Sequence, residues 1–286
     1  MTMTLTTKQD LLIENLGELL IYGNENISKA EMHPFKIRPK KYILFCAMSA
    51  AQSYSEAILK LMKPENIYDK AAEVLLRSLV ETYINLTYVY SSKTSDNAFV
   101  FIVDSIKDKI NFAEKHQTLW EKYPKWKLEF GTIKESSGWD KFIKEQEENI
   151  TQAEKKNKKP IISLPGLVDR AIVFDTQYVK RRKSGVSKRI AIKRLERKSL
   201  EKYYVLYYKY FSQLAHLTMP GLEQFMRIDG SGRTWIDIDG LPSSIERVVP
   251  ITFVIYLSIL NHFLKQFNIY DNTSFQRFKD VLKSIK

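Results

Sequence analysis

Two polar spacings are set into apolar stretches of this chain. Arg77-x3-Glu81 lies in the run from Ala71 to Tyr90, and Ser212-x3-His216 lies in the run from Ser199 to Thr218. Residues four apart share one face of a helix, so Arg77 can meet Glu81, and Ser212 can meet His216, with Tyr208 one turn earlier. Ionisable groups inside buried helices are costly unless paired, so their presence calls for a reason. The chemical reason assigns His216 to proton transfer, because histidine is the side chain that ordinarily titrates nearest neutrality. Arg77 then grips a phosphate or carboxylate with its planar fork, Glu81 orients Arg77 or the imidazole, and Ser212 is a hydrogen-bond partner. The structural reason is that an Arg–Glu pair fixes how helices register, with Ser and His satisfying leftover donors. The chemical reading needs two helices remote in sequence to converge.

A second feature lies just upstream of Ser212. Lys180, Arg181, Arg182, Lys183, Lys188, Arg189, Lys193 and Arg194 form a basic segment, 180–198, that ends with Arg197 and Lys198. Between Lys155 and Lys198 there are 15 Lys and Arg against three acids, which leaves 30 of each sign elsewhere. The formal net charge of +12 is therefore local, the pattern of a polyanion footprint. Phosphates neutralised there would release counterions, and bases could stack on Tyr178, Tyr203 or Tyr204. A charged loop with no partner is the other reading. An anionic membrane is disfavoured, because the segment has no clear apolar face to insert.

The elements that must position these groups read as helices near 5–22, 40–63, 67–92, 95–117, 138–156, 164–180, 199–217, 245–268 and 273–284. Scarce Gly and Pro (10 and 9 in 286 residues) favour long helices over a many-turned sheet. Thr6-x-x-Gln9 resembles a capping box, and the third helix is apolar all round, the mark of a buried helix. Residues 118–160 read as a peripheral aromatic and charged excursion (Trp120, Trp126, Trp139), a candidate protein interface. Asp229-Gly230-Ser231-Gly232 is a turn signal, and alternation around Ile236 and Ile238 predicts a small β-hairpin over 228–241. The run Val248–Leu264, interrupted by Pro250, Asn261 and His262, reads as a core helix rather than a membrane span. The expected architecture is mainly α: one helical domain over 1–286 with a small β-hairpin and a basic insertion.

Other chemistry finds little footing. The lone Cys46, set among Ile43, Leu44, Phe45 and Ala47, reads as a small core side chain. His33, His116 and His262 stand alone, and Asp229, Asp237 and Asp239 lack calcium-loop spacing, so neither a metal nor a cofactor is expected. Glycine-rich phosphate loops and the G-x-S-x-G elbow are not found. A polar N-terminus without an export pattern and a single cysteine point to the cytoplasm.

Arg-Ser-Leu-Val-Glu at 77–81, then Asn85 and Tyr88, then Tyr208-x3-Ser212-x3-His216 in a Tyr-rich helix, resemble an uncharacterised family of bacterial helical proteins. That family is marked by an R-x3-E helix followed much later by an S-x3-H helix. It is distantly similar to the HEPN superfamily of helical bundles, many of which are RNases or RNA-binding partners in antiviral and toxin–antitoxin systems. The resemblance covers about residues 40–110 and 195–265. Catalytic HEPN proteins carry Arg, four to six residues, then His on one helix; here Lys209 stands seven before His216, so Arg77 from another helix would replace the missing arginine. The resemblance implies a HEPN-like core and metal-independent RNA cleavage by a defence or toxin effector, with RNA favoured over DNA. A homodimer or a partner protein of a defence complex is the assembly it leaves open. The alternative is a non-catalytic nucleic-acid- or protein-binding module in which the Arg/Glu/Ser/His group is structural.

Overall fold

The computed structural model describes residues 6–31, 38–63, 67–123, 136–157, 163–180, 186–195, 199–216, 226–228, 230–231, 234–236 and 244–284. The protein is mainly helical. Its chain forms two compact units, Met1–Tyr88 with Leu167–Lys286, and Val89–Gly166.

The first unit is built on α1 (Thr7–Glu31), α2 (Pro39–Leu61), α3 (Asp69–Ser91) and a later core helix. The α1 start is a reciprocal capping box: the Gln9 amide donates to Thr6 Oγ1 at 3.3 Å, and the Thr6 amide donates to Gln9 Oε1 at 3.0 Å. Pro39 opens α2 after the extended Arg38, a place where its missing N–H costs nothing. In the part of α3 that belongs to this unit, Leu76, Leu79, Val80 and Ile84 are buried. Beyond the second unit come α6 (Leu167–Lys180), α7 (Lys188–Leu195) and α8 (Leu200–Tyr203). The last of these runs into a π-helical turn (Tyr204–Lys209) and then α9 (Tyr210–Ala215). Strands β1 (Met226–Ile228) and β2 (Thr234–Ile236) pair antiparallel, Met226 opposite Ile236. Residues 237–241 of the expected hairpin lie outside the described residues.

Helix α10 (Ile245–Gln266) is the hub, packing on both α1 and α2. By length and composition it could cross a membrane, but 61% of its most apolar window is buried in the core. It ends on Asn268 at φ 57°, where the Ile269 amide reaches Leu264 O at 3.0 Å and closes a left-handed cap. Asp271 then caps α11 (Asn272–Ser284) by accepting from the Thr273 amide at 3.0 Å. Where α1, α2 and α10 meet, Gln52 donates to Leu20 O at 3.1 Å and is hydrogen-bonded to the Tyr256 hydroxyl. A Cβ on Gly23 would sit 1.7 Å from that hydroxyl, so only glycine admits Tyr256 there.

In the second unit, α4 (Asp96–Lys122) packs on α5 (Ser136–Asn157), with Ala98, Val103 and Ala113 buried. Trp126 lies outside the described residues.

Two readings of burial are corrected. Cys46 is exposed, because it shares an outer face of α2 with exposed Tyr42, while Ile43, Leu44 and Met48 point inward. The helical run from Ser199 to Ala215 and the turn at His216 are not sealed all round either: Val205, Leu206, Tyr210 and His216 are exposed.

Candidate functional site

The site is laid on the partly buried ridge of α3. Arg77 and Glu81 are both half-buried. Their spacing allows contact, yet Arg77 Nη2 instead donates to the Tyr208 hydroxyl at 3.0 Å, 131 residues away. The guanidinium also lies over the Tyr208 ring, 4.7 Å from its centroid. A guanidinium stacks well on an aromatic face because its plane is large and weakly hydrated. The Arg77 Nε is buried and has no hydrogen-bond partner among the described residues.

Tyr208 is delivered by the π-helical turn. Such wide turns are uncommon and often mark functional positions. Two aromatic rows run along it. Tyr204 stacks on Tyr208 with centroids 5.2 Å apart and planes at 18°, the row that faces Arg77. Tyr203, Tyr207 and Phe211 form the other row, and Tyr203 meets Tyr83 of α3 edge-on at 6.4 Å. Burial pushes the Tyr83 hydroxyl upward, with a hydrogen bond to Ser258 opposing. The entry to this helix is clamped from α6: buried Asp175 accepts from the Leu200 amide at 2.9 Å and from Ser199 Oγ at 2.5 Å. Four orphan amides at a helix start favour such an anion.

Ser212 and His216 lie on the ridge that Tyr208 begins. The His216 amide donates to Ser212 O at 3.1 Å, Ser212 is half-buried, and His216 is exposed at the last turn. Eight residues of helix separate Tyr208 from His216, about 12 Å of rise. The structure thus joins Arg77 to the first residue of the Tyr/Ser/His ridge, and describes no contact from Arg77 to Ser212 or His216.

The basic segment is only partly described. Lys180 is exposed at the end of α6, and Lys188 and Arg189 are exposed at the start of α7. Lys193 and Arg194 lie on the same short helix, while Arg181, Arg182 and Lys183 fall outside the described residues. No group of three or more His, Cys, Asp and Glu able to hold a metal occurs among the described residues. A cavity of about 580 Å3, lined by residues including Tyr22, Glu25, Lys29, Asp271 and Arg277, uses neither motif.

Several polar partners escaped the sequence reading. Fully buried Glu73 pairs with Arg247 of α10, with Lys70 at 3.6 Å, and Arg170 of α6 donates to Asn85. The signal was present: Glu73, Arg77, Glu81 and Asn85 repeat every four residues along α3.

Fold and site together define a mainly helical protein in which a polar ridge of one buried helix meets a tyrosine-lined π turn. The chain belongs to a family of unknown function (DUF5677), whose family model matches residues 41–233 and so spans both motifs. No curated protein and no solved structure matches it.

Proposed function

We propose that the protein is an RNA-acting effector of the HEPN-like kind, working in bacterial antiviral defence or as a toxin, and that it cleaves RNA without a metal. The observation that carries this reading is the Arg77–Tyr208 contact, which ties the Arg/Glu motif to the start of the Tyr/Ser/His ridge. In the proposed reaction the 2′-oxygen attacks the adjacent phosphorus and the bond from phosphorus to the 5′-oxygen breaks. His216 carries the proton from the first oxygen to the second, and its exposure at the helix end leaves room for a strand. The products are a cyclic phosphate and a 5′-hydroxyl. Given the two turns between Tyr208 and His216, Arg77 anchors a phosphate neighbouring the reacting one rather than the same one. Ser212, on the same ridge, is a hydrogen-bond partner of the strand. Chelator-resistant cleavage that disappears in His216→Ala, with an unchanged melting temperature, is the expected result. Cleavage that persists in this variant removes His216 from the mechanism.

The exposed cations Lys180, Lys188 and Arg189 favour a second reading, a non-catalytic nucleic-acid-binding module. Under it no cleavage occurs in any variant. Under both readings, neutralising Lys180, Arg181, Arg182 and Lys183 weakens RNA binding and flattens its dependence on salt, by about one unit of log–log slope for each phosphate no longer neutralised. A slope unchanged by that substitution excludes the segment from the interface.

A further inference from the structure

Tyr208 reaches Arg77 from 131 residues away, and it does so on a π turn. That pitch is rare because it is less stable than the α-helix on either side, so it persists where both of its ends are held. Its downstream end is held by packing, since Phe211 is buried. Its upstream end is held from α6, which packs on both α8 and the π turn.

The upstream hold converges on one carboxylate. Buried Asp175 accepts from the Leu200 amide at 2.9 Å through one oxygen. Its other oxygen accepts from Ser199 Oγ at 2.5 Å and from the Glu201 amide at 3.3 Å. Ser199 already supplies the local cap that a helix start needs, because its Oγ accepts from the Lys202 amide at 3.1 Å. Asp175 comes in addition to that cap and from a different helix, so what it adds is location. Tyr208 lies eight residues beyond Leu200, roughly 12 Å along the axis. A tilt of about 10° at the start would carry Tyr208 about 2 Å, and a 3.0 Å hydrogen bond does not survive such a shift.

We infer that Asp175 is a positioning residue of the nucleic-acid site: by tying Ser199, Leu200 and Glu201 to α6 it sets Tyr208 on Arg77, and so holds the guanidinium where it grips phosphate. The inference rests on the RNA-binding reading above and adds to that site a residue that touches no part of the strand.

The sign of the effect separates this role from electrostatics. Asp175→Ala removes a negative charge close to the basic segment, which by itself raises affinity for a polyanion. Misplacement of Arg77 lowers it. The test uses the full chain and a labelled single-stranded RNA oligonucleotide, with affinity read by fluorescence anisotropy below the melting temperature of every variant. Asp175→Ala should bind about fivefold more weakly, the worth of one hydrogen bond, and Arg77→Ala about tenfold more weakly. The double variant should lose about tenfold as well, not the roughly fiftyfold of two independent losses. Gly23→Ala, which strains the fold far from this helix, should bind as wild type does. If Asp175→Ala melts below the assay temperature, Ser199→Ala carries the comparison. It removes one of the three bonds without altering charge, and should lose about twofold, with no further loss on top of Arg77→Ala. Affinity unchanged or raised, losses that multiply, or an equal loss in Gly23→Ala would each overturn the inference and leave RNA binding standing. A wild type that binds no RNA overturns the RNA reading itself.

Discussion

Arg77 is held by an aromatic hydroxyl and ring rather than by the carboxylate four residues along its own helix. The difference matters chemically. A carboxylate would neutralise the guanidinium, whereas a phenol orients it and leaves its charge available for an anion. Tyr208→Phe removes the hydrogen bond and keeps the ring stacking, so it should cost about 1.5 kcal/mol in urea denaturation and lower nucleic-acid affinity only modestly. Arg77→Lys loses both fork and stacking and should cost more in both measurements. Equal effects of the two substitutions would show that the stacking contributes nothing. The importance of position 77 was legible in the sequence, because an arginine among Leu75, Leu76, Leu79 and Val80 stands out. Its partner was not legible, since Glu81 and Tyr208 satisfy a guanidinium equally well until the backbone places one of them within 3.0 Å.

At the scale of elements, helix starts were read well because caps are local. Thr6 with Gln9 and Pro39 act within one turn of themselves. Helix ends were read less well. The first helix was expected to stop at 22, before Gly23 and Asn24, yet α1 runs on to Glu31. Gly23 is not a stop but a point of close approach, where Tyr256 of α10 crosses with its hydroxyl on Gln52. Gly23→Ala should therefore destabilise the protein by about 2 kcal/mol through overpacking, against the gain of about 1 kcal/mol that helix propensity alone would give. The Tyr256 ring is fully buried and cannot swing aside. A stabilised Gly23→Ala in thermal or urea melts would show that the crossing is looser than described. The short helix Lys188–Leu195 was expected as part of a basic insertion, since Lys188, Arg189, Lys193 and Arg194 mask its turn-by-turn pattern.

For the whole molecule, the excess of positive charge and the buried His262 make the same demand on pH, since each disfavours the folded chain as further protons bind. His262 lies in the core helix, where burial first and Lys265 second push its imidazole down to about 4. It is neutral in the folded chain, while the unfolded chain binds a proton near the ordinary histidine value of about 6.5. Its titration therefore adds no cost above that value, and stability is lost as pH falls from about 6.5 towards 4. Between pH 7.5 and 5.0 this group should remove about 2 kcal/mol, measured by urea denaturation. His262→Leu should flatten the trend, and a trend unchanged in that variant would assign the acid sensitivity elsewhere. Sequence alone determined the helical class, the charge footprint at 155–198 and the two motifs, because periodicity, composition and capping act over a few residues. Only the tertiary structure decided that Arg77 turns to Tyr208 and that Glu73 and Asn85 find partners on α10 and α6. Those pairings join residues 85 to 174 positions apart, and nothing within a few turns of either partner encodes which of several competent groups will be nearest once the helices pack.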